Sequence, residues 1–342
     1  MDLAEKKRLL LERLKSGAIQ LSRPEAVIPR LPAGTDIPLS SAQKRIAFVQ
    51  QLYPDGCFNG SLVIEHAGDL DLERLRLCLG LVVARHDVLR TVAVDLGSGM
   101  AGRVQPPGPI ECAYVDLSDA PAETRQQQAV ALGRAMVGRP FDIFRESPLI
   151  RAMVIRLDPT NSLVVLAMHM FSFDAPSGIL FVAELAALYA QPGDPVQLPP
   201  LDYQYADYAA WAADRQPATG NGTDEWLRRL AGVAADQQLP TEAARSYPPT
   251  FDARRIPFAI PAPLERALKA LGRKHGATFY IVVLTALKIL LHRHAAADSI
   301  AVGAWTTRRN PQNAHLVGPL VNTLVYRTAL APEDTVAAAL LK

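Results

Sequence analysis

The sequence has few cysteines and lacks a long uninterrupted apolar run. Its 342 residues include three cysteines, Cys57, Cys78 and Cys112, with no CxxC spacing and no neighbouring histidine pair. This pattern argues against a metal site and predicts reduced thiols in a cytoplasmic protein. The longest apolar stretch, residues 279–291, is broken by two polar residues. It is shorter than the roughly 18 residues of a membrane span, so we expect no membrane segment.

An excess of charge of one sign is also lacking. Lysine and arginine number 36 and aspartate and glutamate 34, which gives a formal net charge of +2. No global field therefore points to nucleic acid or an anionic membrane as a partner. Hydrophobic residues make up 49% of the chain and charged residues 20%, which is typical of a globular protein. The length suggests two structural units.

The N-terminal region differs in composition from the rest of the chain. Residues 2–17 predict an amphipathic helix that either docks on another protein chain or serves as a solubilising leader. A proline-rich stretch follows and predicts a linker. We therefore place a leader and linker at residues 1–37, a first lobe at residues 38–200 and a second lobe at residues 201–342. Helices and strands alternate in both later blocks, which indicates an α/β architecture with two lobes.

Two strands and a helix are predicted around His169. Residues 149–157 and 162–169 have strand character and are joined by a polar turn. Residues 179–190 predict a helix that starts from the loop after His169. Residues 88–95 also have strand character. In the second block we expect helices and then strands, at residues 263–274, 278–292, 299–304 and 320–327.

Five short motifs occur in a fixed order along the chain. They are Ser40–Arg45 (SxAQxR), Arg85–Thr91 (RHxxLRT), Arg139–Asp142 (RPFD), Tyr205–Trp211 (YxDYAxW) and Gly318–Arg327 (GxxVNTxxxR). Together they resemble the motifs of condensation domains from non-ribosomal peptide synthetases. A single motif would be weak evidence. Five in the family's order, spanning residues 38–327, form a specific resemblance.

The resemblance implies a fold, a reaction and partners. The fold is two lobes like chloramphenicol acetyltransferase subunits, fused in a V-shaped pseudo-dimer. A tunnel between the lobes admits the phosphopantetheine arms of carrier proteins, and an amine attacks an acyl thioester to form an amide. Carrier proteins and neighbouring synthetase domains are thus the implied partners, with phosphopantetheine as a substrate tether and no cofactor bound directly. The sequence ends soon after the last motif, so the second lobe is expected to be incomplete, either because the chain is a segment of a longer synthetase or because the domain is naturally shortened. A shortened second lobe would expose a sheet edge and apolar surface.

The family's active-site motif, HHxxxDG, is altered in this chain. His169 matches the first histidine and Asp174 matches the aspartate. Met170 replaces the second histidine, which the family uses for catalysis, and Ala175 replaces the glycine. A thioether cannot take up a proton near neutral pH and is only a weak acceptor, whereas imidazole can do both tasks. Loss of a positioned acid–base group typically costs ~10²–10⁴-fold in rate, so we expect deficient amide bond formation.

The surroundings of this motif give further expectations. Adjacent side chains on an extended segment point to opposite faces, so His169 faces the lobe interior as a hydrogen-bonded core histidine if Met170 faces the tunnel. Asp174 is expected to be structural, as in the family, and to pair with an arginine of the other lobe. Arg309 is the best match for that arginine, with Arg308 as the fallback. Breaking such a buried pair is costly.

Backbone arguments apply to the residues that follow. Pro176 restricts Ala175 to extended conformations, and Ala175 carries a cost if that position needs positive φ. Ser177 is expected to cap a helix that begins at Gly178. Ala175 and Asn322 are expected to line the tunnel, where Asn322 satisfies backbone groups.

Three functions stay open on this basis. The first is a module that binds carrier-tethered thioester intermediates but is deficient in amide formation. The second is an enzyme with residual condensation or altered chemistry, such as cyclisation or dehydration, that uses His169, Asp174 and Ser177. Heterocyclisation domains carry DxxxxDxxS, of which this chain keeps the last two functional residues. The third is a non-catalytic scaffold that recruits a tailoring enzyme.

Overall fold

The chain forms two compact units. The computed structural model describes residues 27–32, 34–56, 58–190, 198–215, 221–233, 256–295 and 297–342. The predicted helix at residues 2–17 and Cys57 lie outside these ranges. The first unit comprises Met1–Arg215 with Arg309–Leu320, and the second comprises Gln216–Arg308 with Val321–Lys342. The late segment Arg309–Leu320 therefore belongs with the first unit.

A four-stranded sheet forms the centre of the first unit, with the strand order β2-β7-β6-β5. Its strands are β2 (Asn59–Ala67), β5 (Cys112–Asp116), β6 (Ile150–Asp158) and β7 (Asn161–His169). β5 and β6 run parallel, while β7 is antiparallel to both of its neighbours. In this register His169 pairs with Asn59, so the HHxxxDG-like motif starts where the central strand β7 ends.

A second, smaller sheet and five α-helices are the other main elements among the described residues of the first unit. The sheet has the order β1-β4-β3 and consists of β1 (Ile37–Pro38), β3 (Thr91–Asp95) and β4 (Met100–Val104). The helices are α1 (Ser41–Leu52), α2 (Leu72–Arg85), α3 (Ala122–Gly138), α4 (Ala175–Tyr189) and α5 (Tyr205–Asp214). Ser40 caps α1 by accepting a hydrogen bond from the Gln43 amide, as its position before the helix predicts.

Alternation along β7 divides the core into two clusters. Leu166 and Met168 are fully buried in one cluster together with residues of α2 and α4. Val165 and Ala167 are buried in the other, together with residues of α1 and α3. Since successive strand residues point to opposite faces, His169 follows Ala167 onto the second side. The sequence pattern of the strand thus determines which way the first motif residue points.

One predicted strand begins later than expected. Asp87–Arg90 forms a 3₁₀ helix, and strand β3 starts only at Thr91. The Arg90 guanidinium donates a hydrogen bond to Asp87 at 2.5 Å and to the carbonyls of Val83 and Ala84 in α2. These bonds stabilise a helical turn where the apolar residues alone favour a strand. The prediction for residues 88–90 was therefore wrong.

The second unit contains four described helices and a two-stranded sheet. The helices are α6 (Asn221–Leu230), α7 (Ala262–Lys274), α8 (Phe279–Ala295) and α9 (Val336–Leu341), and the strands are β8 (Ser299–Thr307) and β9 (Val321–Ala329). The two strands pair antiparallel. The elements predicted in this block are all present, with bounds that differ by at most three residues.

The length and hydropathy of the described helices can be compared with the expectation of no membrane segment. No one of them is both long and apolar enough to cross a bilayer. The pair α7 and α8 meets the length and composition criteria when taken together, but the chain bends by 100° between the two helices.

Candidate functional site

His169 is enclosed in the core at the end of β7. Its side chain is 0% exposed. The Nδ1 atom accepts a hydrogen bond from the Phe171 amide at 3.1 Å. The rings of Phe58 and Phe141 meet the imidazole edge-on, with centroids 6.3 and 6.1 Å away. The buried Nε2 atom has no hydrogen-bond partner in the described part of the chain. The imidazole therefore contacts protein on all sides.

These surroundings keep His169 neutral. Burial lowers the pKa of His169 from 6.5 to about 4, and the Arg151 guanidinium lowers it in the same direction. Because Nδ1 accepts a hydrogen bond, we assign the proton of the neutral ring to Nε2. A general base must reach the proton that it removes, and a fully buried ring cannot do so. The geometry thus indicates a structural histidine.

The lowered pKa predicts a pH-dependent stability. The unfolded chain protonates this imidazole near pH 6.5, whereas the folded chain does so only near pH 4, so the unfolded state binds more protons between these values. The free energy of unfolding should therefore fall as the pH drops through this window, by about 2 kcal/mol from pH 6.5 to pH 5. Urea unfolding of the wild type at a series of pH values measures this fall.

The matched variant for this test is His169→Asn. The asparagine side-chain oxygen can still accept a hydrogen bond from the Phe171 amide, but asparagine does not titrate. The unfolding free energy of the variant should therefore lack the part of the pH dependence that His169 contributes. Gln127→Asn, on the exposed surface of α3, serves as the control and should keep the wild-type slope. An unchanged slope in His169→Asn would contradict the assignment of a neutral buried histidine.

Met170 and Ala175 are the motif residues that reach the surface. The Met170 side chain is 37% exposed, and its amide donates to the Phe58 carbonyl at 2.9 Å, which ties the loop to the chain just before β2. Ala175 is exposed as well. The remaining five residues of the stretch 169–175 are buried. Neither exposed side chain can take up or release a proton near neutral pH.

Asp174 is the hub of a buried polar network. Its Oδ1 atom accepts from the Ser177 amide at 2.9 Å, the Ser177 hydroxyl at 2.6 Å and the Arg309 Nη2 at 2.7 Å. Its Oδ2 atom accepts from the Leu320 amide at 3.0 Å. The side chains of Asp174 and Arg309 are 5% and 11% exposed. Both carboxylate oxygens accept hydrogen bonds, and these bonds connect the loop to the segment 309–320.

The network alters two backbone expectations. Asp174, and not Ser177, is the N-cap of α4, so the helix begins four residues earlier than residue 179. Ala175 is accordingly the first helical residue, although Pro176 follows it, and the expectation of an extended Ala175 was wrong. Pro176 has no backbone N–H, and N–H groups in the first turn of a helix have no intrahelical acceptor. Proline is therefore compatible with this position.

The pair between Asp174 and Arg309 lies within one compact unit. Arg309–Leu320 is grouped with the unit that contains Asp174, so the interaction differs from the expected pairing across two lobes. Arg309 also donates to the Ser177 hydroxyl oxygen at 2.8 Å and to the Leu316 carbonyl at 2.8 Å. The neighbouring Arg308 is exposed. Asn322 belongs to the second unit, where it pairs with Thr306 across β8 and β9.

Gly318 is a site residue whose role the motif spacing did not reveal. Its φ is +155°, and a Cβ atom added there would lie 2.1 Å from the ring of Tyr205. The Gly318 amide donates to the Ser177 Oγ at 2.9 Å. The Tyr205 hydroxyl lies 2.8 Å from the Ser40 Oγ and 3.1 Å from the Pro319 carbonyl. Residues of three separate motifs, Ser40, Tyr205 and Gly318, thus meet at the segment 309–320.

Arg151 was also missed as part of the site. It is a buried arginine in β6 and stacks on the Phe141 ring at 3.7 Å. Its guanidinium donates to the carbonyls of Arg139 and Pro140 and to Glu146 at 2.6 Å. The sequence signal was a charged residue in the otherwise apolar first part of the strand, residues 150–155. Arg151 holds the RPFD motif in place and adds positive potential near His169.

Metal ligands would have to come from clustered histidine, cysteine, aspartate or glutamate side chains. No group of three or more of these that could hold a metal ion occurs in the ranges that the structure describes.

Comparison with known proteins decides the family. The family model described as "Condensation domain" matches residues 33–342. The chain belongs to the condensation domain family. Phosphinothricin tripeptide synthetase PhsC of Streptomyces viridochromogenes is 33% identical over 342 residues, a match that covers 96% of this chain and 31% of the synthetase. Malpibaldin synthetase of Mortierella alpina is 32% identical over 315 residues, which cover 89% of this chain and 6% of that protein. The chain thus spans less than a third of the length of these synthetases.

Solved structures show the same fold. The X-domain from teicoplanin biosynthesis superposes with a TM-score of 0.81 at 22% identity, over 92% of this chain and 70% of that one. The same X-domain solved as a complex with OxyB gives a TM-score of 0.80 at 23% identity, over 94% and 71%. This condensation domain therefore has the mixed α/β, chloramphenicol acetyltransferase-like fold of its family.

Proposed function

We propose that this condensation domain binds carrier-tethered thioester intermediates of a peptide synthetase without forming amides by the family's usual route. One observation carries the proposal. In the stretch 169–175 only Met170 and Ala175 are exposed, and neither can accept or donate a proton near neutral pH. Membership of the family supports carrier proteins as partners and the phosphopantetheine arm as the tether.

The geometry also weighs against altered chemistry at the retained residues. His169 is fully buried and its pKa is lowered to about 4, so it is a weak base that substrates cannot contact. Asp174 and Ser177 are buried and hydrogen-bonded to each other and to Arg309. Using either as a nucleophile or base would require breaking the cap of α4. These contacts support a structural role for all three retained residues.

The experiment combines binding and turnover. The domain is mixed with one carrier protein that bears an acetyl group on its phosphopantetheine arm and a second that bears a glycyl group. We expect each carrier to bind in a titration followed by fluorescence anisotropy. We expect no acetyl-glycyl product when both carriers are followed by intact mass. An amide product that forms with the wild type and disappears in His169→Asn would contradict the proposal.

A second candidate is a scaffold that recruits a tailoring enzyme. The structural neighbour solved as a complex of an X-domain with OxyB motivates it, because that complex pairs a domain of this fold with another protein. In the same experiment, absence of both carrier binding and turnover would favour the scaffold. For either function we propose a cytoplasmic setting, in keeping with the free thiols of Cys78 and Cys112.

A further inference from the structure

Helix α8 of the second unit has three buried residues, Val282, Thr285 and Lys288, of which two are polar, and it exposes several apolar residues. Thr285 and Lys288 are 8% and 7% exposed, whereas Tyr280 and Leu290 on the same helix are 54% and 53% exposed. An amphipathic helix that simply covered an apolar core would have the opposite pattern. The buried polar face therefore needs a specific explanation.

Lys288 is the most unusual member of this face. Its Nζ atom donates to the Thr328 Oγ1 at 2.6 Å and lies 6.0 Å from the centre of the Tyr326 ring. Across the described ranges, no carboxylate comes within ion-pair distance of it. Burial lowers the pKa of Lys288, and no charged neighbour contributes to the shift. A buried ammonium with only a hydroxyl and an aromatic ring as neighbours is costly, and an anion beside it would remove much of that cost.

Lys288 lies in the wall of a cavity of about 450 Å³ within the second unit. The apolar part of the lining consists of Ile281, Leu284, Leu330, Ala339 and Leu340. The charged part of the lining consists of Lys288, Arg327 and Lys342. The lining thus contains three cationic side chains and no acidic one. Lys342 pairs with Asp334, whereas Lys288 keeps its charge uncompensated among the described residues.

We propose that this cavity binds a carboxylate that carries an apolar chain, with the Lys288 ammonium as its counter-ion. The apolar walls suit the chain, and the volume lies within the ~300–1,000 Å³ that is common for small-molecule sites. The Thr328 hydroxyl, which accepts from Lys288, can orient the ammonium toward the carboxylate. This site lies in the second unit and is independent of the function proposed for the motif residues of the first.

The probe for the test is decanoate, titrated into the full 342-residue chain by calorimetry. Decanol, which has the same chain length without the charge, is the matched ligand control. We expect decanoate to bind at least about tenfold more tightly than decanol, which corresponds to about 1.4 kcal/mol. Lys288→Met should abolish this preference by weakening decanoate binding alone, and Lys269→Met on the surface of α7 should leave both affinities unchanged.

Two further arms keep the test decisive. Methionine in place of a buried charge is often neutral or stabilising, so Lys288→Met should fold. Lys288→Gln, which can still donate to Thr328 but lacks the charge, should also lose the preference. If neither variant folds, the ratio between decanoate and decanol for the wild type still decides. Equal affinities, no binding of decanoate, or an unchanged preference in a folded Lys288 variant would overturn the proposal.

Discussion

Met170→His is expected to raise the rate of amide formation roughly 10²–10⁴-fold, the usual contribution of a positioned acid–base group. The side chain at this position is 37% exposed, and its backbone is fixed by the bond to the Phe58 carbonyl. An exposed imidazole has a pKa near ~6.5 and can accept and return a proton at neutral pH. Single-turnover mixing with acetyl- and glycyl-loaded carriers, followed by intact mass, measures the gain.

A matched variant separates chemistry from shape. Met170→Gln has a side chain of similar length and can hydrogen-bond, but it cannot transfer a proton, so we expect no comparable gain from it. The double variant Met170→His/Ala175→Gly also restores the second altered motif residue. If neither histidine-containing variant exceeds the wild-type rate, the loss of the second histidine is not what limits amide formation.

Arg309→Met is expected to lower the free energy of unfolding by about 3–5 kcal/mol, the usual cost of leaving one partner of a buried ion pair uncompensated. The variant leaves Asp174 buried with the Ser177 and Leu320 groups as its remaining donors. It also removes the bond to the Leu316 carbonyl, which holds the segment 309–320 in shape. Urea unfolding monitored by circular dichroism measures the change.

Two variants complete the test of this pair. Arg308→Met changes the adjacent, exposed arginine and should have a small effect. Asp174→Asn/Arg309→Met removes both charges while keeping a side-chain oxygen at the N-cap of α4, so it should be less destabilised than the sum of its single variants. Additive losses in this double variant would show that the two side chains are not energetically coupled.

The sequence predicted the part of the site that follows from local periodicity. Adjacent side chains on an extended segment point to opposite faces, which predicted opposite directions for His169 and Met170. The structure buries His169 completely and leaves Met170 substantially exposed. The family resemblance likewise identified the condensation fold, because five ordered motifs carry more information than any element taken alone.

Specific side-chain contacts account for what the sequence could not predict. The sequence predicts Ser177 as the helix cap, whereas Asp174 accepts the Ser177 amide and caps the helix instead. Gly318 showed its role only through the ring of Tyr205, which lies over it. Asp87–Arg90 became a helical turn because Arg90 bonds back to α2. In each case a particular contact decides the local structure, and only the contact between Gly318 and Tyr205 joins distant parts of the chain.

The position of residues 309–320 has a consequence for how the polypeptide matures. Asp174 is synthesised 135 residues before Arg309, so the ribosome has completed most of the second unit before this carboxylate meets its guanidinium. Until then the start of α4 lacks the Leu320 amide and the Gly318 groups that it binds in the native fold. The N-terminal portion of the domain therefore lacks these native contacts until residues 309–320 have been synthesised. It is completed only when a late stretch of chain returns to it.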